Sequence, residues 1–501
     1  MNKIEALLIN NDYKNYFLIF TVLTVLCTIF LFTKVNYSSP LKEIIILVIT
    51  LIIGCISIAS YIKDKEIYKT AIIIIILFGL MCVFLSPIGS VSDEVEHLTR
   101  AEITSQGVLF PEYITQNNTQ GFLTIESTSN SVDRDKTIFE TSWDTKKINN
   151  TKVLANSAFQ QNPFYVYIAQ AIGVELAKVL NLNNIYLLWF ARICNLLLYT
   201  GLCGIAIKKT PILKMPMTVM ACFPLSIIQA ASCSCDAFIF SFTLIVIAYL
   251  AHMYKSKDHT LTKKNILIYT ILVLILGLSK VTFGALILLI LIIPKNKFKN
   301  PNDYYLGIIS IVLILSCLLC WSKFYAVDGI THSWRRGLFK QNHVNSAEQL
   351  SYMISSPQAI VTFLQIGNQL PVQVDALTRF YSEYPTFPLF DYIYIIFATL
   401  FVLFYPIKEK ISRNRRIFIA FTIGIIILGT YIVQYLTWAP VGSTNLLDAG
   451  VVPRYFLPAL VLLPLIFNIN NKEIKNQELI IISAITIFLS SSIMFIATML
   501  Y

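Results

Sequence analysis

The sequence predicts an all-α, polytopic membrane protein of about 11–13 transmembrane helices, and three observations predict it. Of its 501 residues 56% are hydrophobic and 13% charged, where soluble domains use roughly 45–50% and 25%. Apolar runs long enough to cross a hydrocarbon core, about 20 residues each, recur along the chain. Basic residues gather in short loops between those runs: "KDK" at 63–65, "KKTPILK" at 208–214, "KSKDHTLTKK" at 255–264, "PKNKFKN" at 294–300 and "KEKISRNRR" at 408–416. Loops of the other set, such as "TKVNYSSP" and "TWAPVGSTNLLDAGVVPRY", carry at most one basic residue each. The net charge of +11 is therefore a positive-inside signature, which argues against nucleic acid as a partner. A β-barrel would need short alternating segments instead.

The elements follow in order. No cleavable signal peptide is evident, and the run 16–32 after the polar start reads as an uncleaved anchor. Runs 41–61 and 67–87 come next, the latter ended by Pro87. "NPFYVYIAQAIGVELAKVL" at 162–180 is apolar too, but crossing there would put every later basic loop on the wrong side. It reads as an interfacial or re-entrant helix, with Phe164, Tyr165 and Tyr167 at headgroup level. Spans 185–207, 215–232 and 235–254 follow. The runs 266–279 and 281–293 are short for a bilayer; they read as a hairpin of spans or as half-helices meeting around "GLSKVTFG", as at transporter sites. Spans 304–322, 389–406, 417–436, 455–469 and 478–499 complete the set.

A cytoplasmic N-terminus puts every basic loop inside. The loops 88–184, 323–388 and 437–454 then face outward and are expected to carry short helices. The expected divisions are 1–66, a polar start with two extra helices; 67–470, the membrane domain; and 471–501, a C-terminal helix. All ten cysteines lie in or beside apolar runs, which sets aside a disulfide framework, and "CLLC" at 317–320 lies inside a span.

The polar stretch "SVSDEVEHLTRAEITSQG" at 90–107 leaves the third span directly. Capped by Ser92, a helix here would place Asp93, His97 and Arg100 on one face, with Glu94 beside His97 and a Glu96–Arg100 pair. Such a stretch can be a solvated helix. At a membrane exit, however, its carboxylates can take a proton from an attacking hydroxyl or hold a cation that bridges a phosphate. Asp93, Glu94 and His97 offer ligands to a divalent cation, Mg or Mn, though D-E-V-E-H is not the H-E-x-x-H of zinc proteases.

Four further residues join it. Arg192 sits in "IYLLWFARICNLLLY", where a charge costs at least about 2.5–3.5 kcal/mol and needs an interior partner or a snorkelling route to headgroups. Asp236 and Lys280 fall at predicted outer hairpins. Arg454, followed by Tyr455, is the single basic residue of its loop, and its planar fork suits phosphate. Asp93, Glu94, His97, Arg100, Asp236, Lys280 and Arg454 all map to one outer face, which points to a polar site open to a membrane-borne anionic ligand. No Walker A or G-x-G-x-x-G loop stands in a credible context, so neither ATP nor a nucleotide sugar is supported.

"SDEVEHLTRAEITSQG" resembles the D-E-x-x-H-x-x-R-A motif of the bacterial membrane family catalogued as domain of unknown function 2142. The resemblance continues through "NPFYVYIAQAIG", "ARICNLLLY", "ACFPLSIIQAASCSCDAF" and "GLSKVTFGALILLILIIP" to "YLTWAPVGSTNLLDAGVVPRYFLP". This chain departs in having Val452-Pro453 before Arg454, where the family has a glycine, and in two extra N-terminal spans. The family is regarded as similar to type C (GT-C) glycosyltransferases, which implies a GT-C-like fold in the bacterial plasma membrane with the active site outside. It implies a polyprenyl-phosphate-linked sugar as donor and a cell-envelope glycan as acceptor. Asp93 or Glu94 would be the base for inverting transfer, and Arg454, with Arg192, Lys280 or Arg100, would stabilise the departing phosphate. His97 would orient the base or touch the phosphate, Tyr455 and Asp236 would join the substrate site, and "WRRGLFK" at 334–340 would help hold the acceptor. A transporter or flippase of a lipid-linked saccharide is the alternative, favoured by half-helices around Lys280.

Overall fold

The computed structural model describes residues 11–34, 40–116, 119–129, 132, 134, 136–137, 140–155, 157–326, 340–377, 388–403, 405–407, 409–469 and 475–500. The chain is an α-helical, polytopic membrane protein. Among the described residues, eight helices are long and apolar enough to cross a membrane, and all eight coincide with expected spans. They are α1 (Asn11–Phe32), α2 (Leu41–Asp64), α3 (Ile67–Leu85), α6 (Ile185–Lys209), α9 (Asp236–Lys255), α11 (Asp303–Trp321), α16 (Arg413–Trp438) and α18 (Gln477–Leu500).

The other five expected spans form shorter or broken elements. The run 215–232 breaks into α7 (Lys214–Ala221) and α8 (Pro224–Ala230), because Pro224 has no N–H to continue the ladder and Phe223 is extended. Apart from the exposed Lys214 both pieces are buried, and they return along α6: Tyr199 donates to Ala221 O at 2.9 Å and Asn195 to Ser232 O at 2.8 Å. The run 389–406 is α15 (Pro388–Leu403), and 455–469 is a 3₁₀ helix, Leu457–Leu462, leading into α17 (Leu463–Phe467).

The two short runs near Lys280 form a closed hairpin. α10 (Lys263–Ser279) lies antiparallel to a 3₁₀ helix, Val281–Ile292, with Tyr269 donating to Leu286 O and Gly277 facing Gly284. At the basic end His259 N donates to Asn296 O at 2.9 Å. The two arms match in length although one has 17 residues and the other 12. An α-helix rises about 1.5 Å per residue and a 3₁₀ helix about 2.0 Å, so both are about 25 Å long. Lys280 sits at the turn.

The two N-terminal helices pair with the C-terminal one. Phe20, Ile58, Ile62 and Leu479 form one small core and Leu31, Met494 and Ala497 another, beside the main core of the remaining bundle.

The segment after α3 turns twice through left-handed backbone, at Gly89 (φ 64) and Asp93 (φ 63), before α4 (Glu94–Ser105). Gly89 is required, since a Cβ there would meet Val95 Cγ2 at 2.7 Å. The expected Ser92 cap is not formed: Asp93 takes the N-cap position without a side-chain cap bond. The loop also carries a three-stranded antiparallel sheet that the sequence reading lacked, β1 (Ile114–Gln116), β2 (Thr119–Ile125) and β3 (Lys152–Ala155) in that order.

α5 (Ile168–Val179) makes a hairpin with α6 and exposes Ile168, Ile172, Leu176 and Val179 along one stripe. The aromatics expected at headgroup level turn inward instead. Tyr167 is fully buried, Tyr165 donates to Ile275 O at 2.7 Å, and Phe164 packs on Phe110. Close approach of the helices depends on Gly173, where a Cβ would lie 2.3 Å from Phe190 O. Gly173→Leu is expected to cost at least about 1–3 kcal/mol by overpacking, seen as a lowered apparent Tm in detergent.

Candidate active site

Three charged groups form at the end of the bundle away from the basic loops. In the first, Arg454 lies between two carboxylates: its Nη2 donates to Asp93 Oδ2 at 3.4 Å, and its Nε stands 2.9 Å from Asp236 Oδ2 as an ion contact off the hydrogen-bond direction. Lys280 Nζ lies 3.3 Å from the centre of the Tyr455 ring, and the Arg454 guanidinium lies 5.5 Å from the same ring. Asp93, at 30% side-chain exposure, is more open than Arg454 at 14% or Asp236 at 10%. Residues from four remote segments thus meet: the turn before α4, the first turn of α9, the Lys280 hairpin and the approach to the last 3₁₀ helix.

α9 has 20 residues, so Asp236 stands about 30 Å from the Lys255 end. That is about one hydrocarbon thickness, and Lys280, about 25 Å up its own hairpin, is at similar depth. The cluster therefore lies about one hydrocarbon thickness from the basic loops.

The second group explains Glu94. Arg192 and Glu94, both fully buried, form a bidentate pair at 2.8 Å and 2.7 Å. The remaining Arg192 hydrogens go to Val83 O, Ser86 O and Pro87 O at 2.8–2.9 Å, carbonyls freed where α3 ends. Glu94 also accepts from Cys233 N at 3.0 Å and Gly89 N at 3.1 Å. The adjacent carboxylates are therefore separated: Glu94 points into the protein, Asp93 toward Arg454. Arg192 is an interior residue with a partner, not a snorkelling one.

The third group surrounds Tyr167. His97 Nδ1 is 2.8 Å from its hydroxyl, which also accepts from Asn162 Nδ2 at 3.0 Å, and the His97 ring stacks on Phe159 at 4.2 Å. Burial pushes the Tyr167 phenol well above its ordinary pKa. Arg100 lies over the Tyr167 ring at 5.3 Å and donates to Leu109 O at 3.0 Å. Burial lowers its guanidinium pKa. The expected Glu96–Arg100 pair is absent; Glu96 pairs instead with Arg134 at 2.9 Å.

Of the residues singled out from sequence, Asp93, Asp236, Lys280, Arg454 and Tyr455 converge, whereas Glu94 with Arg192, and His97 with Arg100, belong to the supporting groups. The ligand set Asp93, Glu94 and His97 does not assemble, since two of the three face other partners. Among the described residues no group of three metal-ligating side chains forms. Of "WRRGLFK", only Lys340 lies within the described residues. Sequence reasoning missed Asn162 and the Cys233 N–H and gave Tyr167 only an interfacial role; "NPFYVY" held a signal in its polar atoms, but a backbone donor leaves none. A small apolar pocket lined by Leu250, Tyr254, Ile411 and Leu465 lies toward the basic loops, away from these charges.

A family model described as "Predicted membrane protein (DUF2142)" matches residues 75–463. No curated protein and no solved structure matches the chain.

Proposed function

From the premise that the chain belongs to the DUF2142 family of predicted membrane proteins, we propose that it is a membrane glycosyltransferase. It moves a sugar from a polyprenyl-phosphate donor to a cell-envelope glycan, with inversion, at the outer face of the bacterial plasma membrane. The observation that carries this reading is Arg454 held between Asp93 and Asp236 beside Lys280, at the end of the bundle away from the basic loops.

Arg454 and Lys280 bind the donor phosphate. A phosphate that takes the Arg454 fork displaces the longer contact, to Asp93 at 3.4 Å, and leaves the shorter one, to Asp236 at 2.9 Å. Donor binding thus draws Arg454 away from the more exposed carboxylate. Asp93 then takes the proton of an acceptor hydroxyl, whose oxygen forms a bond to the anomeric carbon as the carbon–oxygen bond to phosphate breaks. The bonding pair leaves on polyprenyl phosphate, where Arg454 and Lys280 stabilise the charge that develops. Asp236 holds Arg454 in place.

The test is transfer from synthetic polyprenyl-phosphate sugars by purified protein in nanodiscs, with envelope glycan fragments as acceptors. Glycan product with inverted anomeric configuration supports the reading. Movement of intact lipid across the bilayer without cleavage would establish transport instead. Arg454→Lys keeps the charge but loses the fork and is expected to lower turnover about 10²–10³-fold, measured in the same assay.

A further inference from the structure

Segment 346–375, which lies at the site end of α16, is built inside-out. It contains α12 (Ser346–Ser355), α13 (Pro357–Leu364) and α14 (Leu370–Asp375). The side chains it buries include polar ones: Gln349 and Thr362 are fully buried and Gln369 nearly so. Gln349 Oε1 accepts from Gly442 N at 2.8 Å, and Gln365 donates to Thr444 O at 2.9 Å and accepts from Leu446 N at 3.1 Å. Met353, Phe363 and Ile366 pack on the protein, but other large apolar side chains face away from it, with Ile354 80% exposed, Leu364 75%, and Leu350, Ile360 and Leu370 also exposed. A helix on a water-facing surface does the reverse. Only Glu348 and Asp375 are charged within the segment.

Depth says what covers this face. Phe363 packs edge-on to Tyr435 of α16 at 5.2 Å. Arg416, near the basic end of that helix, is tied to the carbonyls of Ile466 and Phe467. From Arg416 to Tyr435 the helix rises about 28 Å, within one hydrocarbon thickness of about 30 Å. α16 also exposes Phe421 and Leu428, so the apolar face of the segment continues a surface that already faces lipid.

We propose that segment 346–375 is embedded in the leaflet at the site end, with its apolar side chains among phospholipid acyl chains. Its polar face grips residues 442–446, in the loop that leads to Arg454, and so ties the depth of that arginine to the bilayer surface. The low charge of the segment makes this apolar insertion rather than attraction to anionic lipid. The inference is independent of which reaction the site runs.

The test replaces Ile354 or Leu364 by p-benzoylphenylalanine in the full-length protein, reconstituted in phosphatidylcholine nanodiscs and irradiated. Leu428 on α16 serves as the lipid-facing control and Lys152, exposed on β3, as the water-facing one. Lipid adducts at 354 and 364 of the same order as at 428, with none at 152, are expected by mass spectrometry. Adducts at 428 alone, or crosslinks from 354 to a second copy of the chain, would overturn the proposal. Hydroxyl-radical footprinting of the unmodified protein in the same nanodiscs provides a check without substitution. Ile354 and Leu364 are expected to stay unlabelled, and strong labelling of both contradicts insertion.

Discussion

Asp93→Asn is expected to lower sugar transfer by about 10²–10⁴-fold, the range for removing a general base, while leaving the protein as stable as wild type. The two consequences separate because Asp93 meets Arg454 in a loose contact at a partly open position. An amide of the same shape can still accept from the guanidinium, but it cannot take a proton from an incoming hydroxyl. Glu94→Gln should behave in the opposite way. It leaves Arg192 a buried cation facing a neutral amide, so its effect appears first as a lowered apparent Tm. Measuring both variants in one nanodisc preparation decides between the two adjacent acids. If Asp93→Asn turns over at the wild-type rate, the base is not Asp93.

Arg192→Ala is expected to destabilise the protein by about 3–5 kcal/mol, the cost of breaking a buried ion pair by removing one partner. It leaves the Glu94 carboxylate without its counter-charge and takes the Arg192 donors away from the carbonyls of Val83, Ser86 and Pro87. The double variant Glu94→Leu/Arg192→Met removes the unpaired charge but does not restore the lost carbonyl contacts, so it should recover only part of the loss. Thermal melts of the three proteins in detergent measure this, and full recovery would show that the carbonyl contacts contribute nothing. The pair also bears on the site. Glu94 is the neighbour of Asp93, and its bond to Cys233 N fixes the loop that delivers Asp236 three residues later.

Much of this was legible in the sequence because a bilayer imposes simple rules. Apolar run length located the helices, and loop charge put Asp93, Asp236, Lys280 and Arg454 at one end, where they meet. The rest depends on backbone detail that periodicity does not record. Extending the helix back to Asp93 aligned it with His97 and Arg100; a single left-handed residue, Asp93 itself, rotates it away from them. The 3₁₀ arm of the Lys280 hairpin is another case. Its 12 residues looked too few for a span because residue count was converted to length with the α-helical rise. Arg192 was ambiguous because position within a span gives depth but not direction, and only the position of Glu94 tells snorkelling from pairing.

The ion contact between Asp93 and Arg454 joins residues 361 positions apart, and this separation fixes an order of assembly. Ribosome-bound chains fold from the N-terminal side first. Glu94 can find Arg192 once α6 is made, and Cys233 N–H soon after, so the frame is complete while the chain is about half synthesised. Arg454 arrives only near the end, closing the charged cluster over a scaffold that already exists. A nascent or truncated chain that stops before residue 454 would thus lack Arg454 and with it the closed charged cluster.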